Sequence, residues 1–373
     1  MTTSPSGPRV LACGLATLDV VQTVGHVPSA NEKLVAQGLL VGAGGPAANA
    51  AVTAVALGVP TRLVTRIGGA ALGRVVTADL VARGVEVIDR AGPDDAPAVS
   101  TVLVTRATGE RAVVSVNATR GGGTRPPDTA GSSDRDATVS AFDGVAAVLV
   151  DGHHLDLALD VARTARGRGV PVLLDAGSWK PGLEALLGLV DIALLSEDFR
   201  VPEEVRVVDG VRALDGVRVV DGVRVVDGVR VVDGVLVVDG VHVVDGVHMR
   251  ADVRALDDPS APRIDTLTRV AAWGPAVVAQ SHGADAVVVV RNGVRTTVAV
   301  PRTGVVDTLG AGDVLHGALV AWLAREPLAV RDPLDALRWA TEVASASVGA
   351  AGAHGWQADG AALDRLRATL TRG

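Results

Sequence analysis

Asp307-Thr308-Leu309-Gly310-Ala311-Gly312-Asp313 runs straight into the mostly apolar stretch from Val314 to Leu323, and this join holds the residue types best suited to chemistry. Gly310, Ala311 and Gly312 let the backbone approach a ligand closely. A helix opening just after them points unpaired N–H groups and its positive dipole end at any anion there. Asp313 sits where a carboxylate can take the proton from an attacking hydroxyl. An anion hole beside a base is what phosphoryl transfer requires: charge neutralisation, in-line positioning and an acceptor for the hydroxyl proton. An aspartate N-cap after a glycine-rich turn accounts for the same seven residues without any chemistry.

A second glycine motif, Gly44-Gly45-Pro46-Ala47-Ala48-Asn49, leads into the helical run Ala50 to Gly58. Taken with Arg66-Ile67-Gly68-Gly69 and the Asp307 to Asp313 stretch, it resembles the PfkB, or ribokinase-like, family of carbohydrate kinases over most of residues 9–202 and 264–350. The Gly-Gly-Pro-Ala-Ala run, Asp151-Gly152-His153-His154 and Asp175-Ala176-Gly177-Ser178 are similar to a sulfofructose-kinase-like branch of that family. The resemblance implies ATP-dependent phosphorylation of a hydroxyl on a sugar or sugar-like compound, with Mg2+ and a monovalent cation as further expectations. Asp313 would be the general base and Gly310, Ala311 and Gly312 the anion hole. Asp307 and Thr308 would border the nucleotide phosphates or the monovalent cation, although a turn hydroxyl explains Thr308 as well.

For the sugar, the same resemblance assigns Asp19, Gly44, Gly45 and Asn49. Asp19 follows Gly14 to Leu18 at the end of the first strand, the edge where doubly wound sheets collect ligands. The competing readings are an exposed loop carboxylate for Asp19 and a helix-turn cap for Asn49. Lys33 falls in the expected lid, where a cation would suit an acidic substituent on the sugar; a solvated loop lysine is the plain alternative. Asp175 and Lys180 would face the phosphates or form a loop salt bridge.

The sequence departs from the family pattern in two places. Ser196-Glu197-Asp198-Phe199 stands where many relatives have Asn-x-x-Glu, so Ser196 is carried over to the nucleotide and Glu197, with Asp198 as the alternative, to magnesium, which takes oxygen ligands and keeps waters. Ser281-His282-Gly283-Ala284-Asp285-Ala286 replaces Thr-x-Gly-x-x-Gly, leaving Ser281 and Gly283 near the nucleotide. The eight histidines show no zinc spacing.

These residues must be held by a framework, and the composition allows a large one: 373 residues, 48% of them hydrophobic. A net charge of −7 without a basic cluster argues against nucleic acid. The single cysteine, Cys13, excludes an internal disulfide and a cysteine zinc site, and favours a reducing compartment. No apolar run reaches membrane-spanning length and Met1 to Pro8 lacks the regions of a secretory signal, so a cytoplasmic location is expected. Two Phe, five Trp and no Tyr leave aliphatic walls and backbone groups to line any pocket.

Strand and helix patterns alternate along the chain, which predicts an α/β fold: a ribokinase-like, doubly wound, mainly parallel sheet flanked by helices. Strands are expected at 10–13, 147–150, 170–174, 192–195 and 286–290, with helices at 155–166 and 264–273. Residues 20–41 and 97–116, the second turning at Thr108 to Arg111, read as extended segments outside the alternation. By the resemblance they form a small discontinuous β lid within one domain spanning 1–373. Residues 206–249 break the pattern with a six-residue repeat carrying Asp-Gly at Asp209, Asp215, Asp221, Asp227, Asp233, Asp239 and Asp245. Asp-Gly is a strong two-residue turn signal, so a tight meander or a small solenoid is expected, as an insertion without catalytic role. Its valines leave homodimerisation open. A nucleoside kinase of the same family and a non-catalytic sugar- or nucleotide-binding regulator are the competing functions.

Overall fold

The computed structural model of the protein describes residues 7–116, 140–202, 205, 265–325 and 332–371, together with five short strands of the repeat between 211 and 238. In chain order, β1 (Arg9–Cys13), β2 (Thr17–Val24) and β3 (Gly38–Gly44) precede helix α1 (Pro46–Ala56). Then come β4 (Thr61–Thr65), α2 (Ala71–Ala82), β5 (Glu86–Asp89), β6 (Ala98–Thr105), β7 (Arg111–Ser115), β8 (Val145–Val150) and α3 (Leu155–Gly167). After β9 (Val172–Ala176), the short α4 (Leu183–Leu187) and β10 (Ile192–Leu195) lie the repeat strands β11 (Val211–Leu214), β12 (Val217–Val220), β13 (Val223–Val226), β14 (Val229–Val232) and β15 (Val235–Val238). The chain ends with α5 (Thr266–Ala271), β16 (Val277–His282), β17 (Asp285–Arg291), β18 (Val294–Val298), α6 (Ala311–Arg325), α7 (Pro333–Ser347) and α8 (Gly360–Thr371).

Nine strands form the main sheet in the order β18-β17-β16-β10-β9-β8-β1-β4-β5. The run from β5 to β16 is parallel, and β17 and β18 add an antiparallel edge. Side-chain alternation along the strands explains why both faces are covered. Val10 and Ala12 of β1 join the core under α1, α6 and α7, whereas Leu11 and Cys13 join the core under α3, α4 and α5. The chain leaves β1 for β4 on one side and later returns to β8 on the other, so the crevice beyond the carboxyl ends of β1 and β8 is the topological switch point.

A smaller sheet of order β3-β2-β6-β7 is drawn from two separate stretches of chain, with β2 and β6 parallel and the rest antiparallel. Its first strand begins at Thr17 rather than Val20, and residues 25–37 form an irregular connection. Helix α5 is shorter than the 264–273 pattern suggested, because the Asp265 carboxylate caps it by accepting from the amides of Leu267 and Thr268. In the repeat, β11, β12 and β13 pair antiparallel with one another, as do β14 and β15. That is the hairpin pattern of a meander rather than the parallel stacking of a solenoid. Residues 239–249 of the repeat lie outside the described residues.

Candidate active site

Gly310 has a φ of +75°, and an added Cβ would lie 2.5 Å from the Cβ of Ala353. Glycine is therefore required at the residue that turns the chain into α6. Asp313 lies in the first turn of that helix. On α1, Gly45 has a φ of +97°, and Pro46 at the first position presets the helical φ. The two helices pack closely because Gly317 has no side chain: a Cβ there would come within 2.5 Å of the Ala50 carbonyl oxygen. That contact brings Asn49 against Asp313, and the Asn49 Nδ2 donates to Asp313 Oδ2 at 2.7 Å.

A cavity of about 320 Å³ opens at this junction, lined among others by Asp19, Gly45, Asn49, Thr308, Gly310 and Asp313. Ala311 and Gly312 line it as well. Asp19 enters from β2 with its Oδ1 accepting from Thr17 Oγ1 at 2.6 Å. Gly44 stands directly behind it, where any Cβ would meet the Asp19 carboxylate at 1.9 Å. From the neighbouring strands of the small sheet, Ser100, Val102, Arg111 and Val113 complete the wall. Among the described residues, no aromatic side chain lines it.

Titration in the cavity follows from enclosure. Burial, reinforced by the nearby Asp175 carboxylate, pushes Asp313 up to about 7, although Asn49 and His316 oppose the shift. Asp19 is also raised by burial, with hydrogen bonds from Thr17 and Ser100 pulling the other way. The main-chain donors at the two helix starts differ. On α1, Ala47 N donates to Asp151 Oδ2 at 3.3 Å, Ala48 N to the Leu15 carbonyl at 3.4 Å and Asn49 N to the Gly45 carbonyl at 2.9 Å. On α6, Ala311 N and Val314 N have partners, whereas the amides of Gly312 and Asp313 find none among the described residues. Two donors at a helix N-terminus are thus left facing the cavity, an arrangement suited to an anion.

Several candidates from the sequence lie elsewhere. Lys33 is in the exposed 25–37 connection and does not line the cavity. The cation that does is Arg111 of β7, whose Nη1 donates to the Thr308 carbonyl at 3.3 Å and so joins the small sheet to the glycine loop. Its turn-like neighbourhood hid it, but the alternation Arg111, Val113, Ser115 puts Arg111 and Val113 on one face and was the signal available. Asp307 uses both carboxylate oxygens on backbone amides, Leu309 N at 2.9 Å and Gly352 N at 2.8 Å, and so staples the loop. Ser196, Glu197, Ser281 and Gly283 gather at the carboxyl ends of the adjacent strands β10 and β16. There Gln280 Nε2 donates to the Ser196 carbonyl at 3.0 Å, and Ser281 Oγ to the Leu195 carbonyl at 3.4 Å. They lie outside the cavity lining, further along the same edge of the sheet. Glu197 is exposed, and among the described residues no group of three or more His, Cys, Asp or Glu side chains could hold a metal.

The remaining polar residues of this edge are structural or indirect. Asp151 is buried, with Oδ2 accepting from Leu15 N at 2.8 Å and Oδ1 from His153 N at 2.9 Å. An added Cβ on Gly14 would overlap its carboxylate at 2.1 Å. Asp175 is buried against His316 rather than exposed to the cavity. The Lys180 ammonium lies 3.3 Å from the Ser178 carbonyl.

Comparison with known proteins identifies the family and the fold. The family description "pfkB family carbohydrate kinase" matches residues 8–198 and 257–358, and the chain belongs to that family. It is accordingly a carbohydrate kinase, an enzyme that transfers phosphate to a sugar. Among solved structures it is similar to a ribokinase from Giardia lamblia, at 16% identity and a TM-score of 0.66, covering 98% of this chain and 100% of that one. A putative ribokinase from Agrobacterium tumefaciens matches at 20% identity and 0.65, covering 99% and 100%. Arabidopsis thaliana ribokinase, complexed with ribose and ATP, matches at 19% and 0.63, covering 97% and 99%. At these identities the likeness establishes the fold.

Proposed function

We propose that the protein transfers the γ-phosphoryl group of ATP to a hydroxyl of a sugar or sugar-like molecule seated in the 320 Å³ cavity, with Asp313 as general base. The observation that carries this reading is a single junction. Asp313, held by Asn49 and with a proton affinity near neutrality, stands beside two helix-terminal amides that have no partner among the described residues. A base whose pKa lies close to the working pH combines a usable deprotonated fraction with a useful driving force for proton transfer.

The substrate hydroxyl would donate to the Asp313 oxygen opposite Asn49 and attack the γ-phosphorus in line as Asp313 takes its proton; the bond from the γ-phosphorus to the bridging β-phosphate oxygen breaks and ADP leaves. The amides of Gly312 and Asp313 donate to the oxygens of the transferring group, and Arg111 supplies a cation at the rim. Asp19, Gly44, Gly45 and Asn49 position the sugar, Asp19 by accepting from its hydroxyls. The strand ends carrying Ser196, Ser281 and Gly283 offer small, open surface for the nucleotide. A magnesium ion fits this donor set only as one held mainly by phosphates and water, with Glu197 as the protein carboxylate; bound there it would neutralise phosphate charge. An aliphatic lining suits a sugar better than a nucleobase, which needs a stacking face.

The test is phosphate transfer from ATP across a panel of neutral sugars, acidic sugars and nucleosides, with product mass as readout. Phosphorylation of a sugar supports the assignment. Turnover confined to nucleosides, or none across the panel, would overturn it.

A further inference from the structure

His316 lies one turn beyond Asp313 on α6, almost fully enclosed, and the transfer step described above does not use it. Its ring meets oxygen on both sides. Nδ1 is 2.7 Å from the Gly312 carbonyl oxygen, and Nε2 is 3.2 Å from the Leu194 carbonyl oxygen on β10. A carbonyl oxygen accepts and cannot donate, whereas a neutral imidazole has one donor and one acceptor nitrogen. With one proton, His316 would leave lone pair facing lone pair in a buried place; with two, both contacts are hydrogen bonds. A carboxyl able to carry the matching charge is present: Asp175 Oδ2, at the end of β9, lies 3.4 Å from Nδ1 and has no hydrogen-bond partner among the described residues. Burial raises the proton affinity of Asp175, and the positive ring of His316 opposes that shift.

We propose that His316 is an imidazolium, paired with Asp175, that fixes the carbonyl of Gly312 and favours the ionised form of Asp313. It is a positioning residue for the anion hole and sets the charge state of the base. The Gly312 carbonyl belongs to the peptide that ends in the Asp313 amide, so anchoring it aims that amide at the cavity. The positive ring also offsets the Asp175 carboxylate, which otherwise favours protonation of Asp313. Other charges face the group: Asp19 from β2 acts on Asp313, and Asp151, His153 and Lys180 act on Asp175. From α1 the facing polar side chain is the uncharged Asn49. The role assigned here rests on Asp313 being the base of a kinase, but the protonation of His316 does not.

Nitrogen NMR of the histidine rings in the full-length protein, assigned by the loss of one set of signals in His316→Gln, reads the protonation directly. At pH 7 both ring nitrogens of His316 are expected to carry a proton. The carboxyl carbon shift of Asp313 gives its titration without turnover. In His316→Gln that titration, and with it the acid limb of kcat/KM, should move up by about one pH unit, the usual effect of losing a nearby opposite charge. A neutral His316 in wild type at pH 7, or an Asp313 titration unmoved in a folded His316→Gln, overturns the proposal. Absence of sugar phosphorylation in wild type would instead remove the kinase mechanism, and the NMR result would still decide the charge of His316.

Discussion

The two glycine loops that open α1 and α6 read alike in sequence, and each was expected to face a ligand, yet their helix ends are in different states. At α1, Pro46 has no N–H, and the next three amides are taken by Asp151, the Leu15 carbonyl and the Gly45 carbonyl. At α6 the amides of Gly312 and Asp313 face the cavity without partners among the described residues. The closed end builds the site by locking the β1–β2 turn to α1, whereas the open end is where an anion can be bound. Part of what separates them is a carboxylate 104 residues further along the chain, Asp151, which follows directly on β8, the strand that pairs with β1. A small-residue loop before a helix therefore marks a place where backbones come close, and the rest of the fold decides whether the donors there are used.

The largest expected effect breaks the open end. Asp313→Asn should fold and lose about 10²–10⁴-fold in turnover, the usual cost of removing a general base. In wild type, kcat/KM should fall as the pH drops below about 7, where Asp313 becomes protonated. The same variant makes a stability prediction of opposite sense. The folded pKa of about 7 lies above the ordinary 3.8, so this carboxyl favours the fold when protonated and progressively loses that contribution as pH rises toward 7. Asp313→Asn should thus be more stable than wild type, by a margin that grows from about pH 4 to 7 and then levels off. Urea titrations at a series of pH values would show it, and a margin independent of pH would contradict the enclosed carboxyl.

Breaking the closed end should act on stability first. Asp151→Ala leaves the Leu15 and Ala47 amides unpaired in the interior, at a cost of about 1–3 kcal/mol each, and adds a void. The urea midpoint should fall clearly, the reverse of Asp313→Asn. A variant as stable as wild type would mean that the two helix ends do not differ in the way their hydrogen bonds indicate.

The next effect concerns charge at the rim. Arg111→Ala should weaken turnover about tenfold, the value of one hydrogen bond to a charged group, whereas Lys33→Ala should change kcat and KM by less than twofold. If the substrate carries an acidic substituent, the Arg111 loss will appear mainly in its KM and exceed that for a neutral sugar. Equal, larger effects at Lys33 would show that the 25–37 connection folds over the cavity during catalysis.

The fold was legible because its signals are local and repeated. Val10 to Cys13, Ile192 to Leu195 and Ala286 to Val290 are apolar runs of strand length separated by helical patterns, and they became β1, β10 and the core of β17. Asp19, Asn49, Gly310 and Asp313 were visible because each lies in or close after a glycine-containing stretch of unusual residue types, at 14–19, 44–49 and 307–313. The contacts made by Asp151, His316 and Arg111 were not visible, since each joins distant parts of the chain: 104 residues for Asp151 to Ala47, 122 for His316 to Leu194, 197 for Arg111 to Thr308. Lys33 illustrates the converse, a residue chosen for its charge in a segment whose irregular path leaves it at the surface.

The smallest effect should come from removing the region least like the site. The repeat strands pair with one another, β11 to β13 and β14 with β15. The chain just before them is fixed independently: Arg269 of α5 donates to the carbonyls of Val201 at 3.1 Å and Pro202 at 2.9 Å, and also to that of Val205. An excision that keeps Val201 to Val205 and α5 therefore keeps the anchors on both sides of the gap. Loop-closure entropy changes only slowly with length, so replacing residues 206–249 by a short Gly-Ser bridge should shift stability by less than about 1 kcal/mol and leave kcat and KM near wild type. Urea unfolding and steady-state kinetics on the shortened protein measure both. Insoluble protein, or a large loss of turnover with the fold intact, would tie the repeat to the core or to the site, and the comparison of the two helix ends would then have to include it.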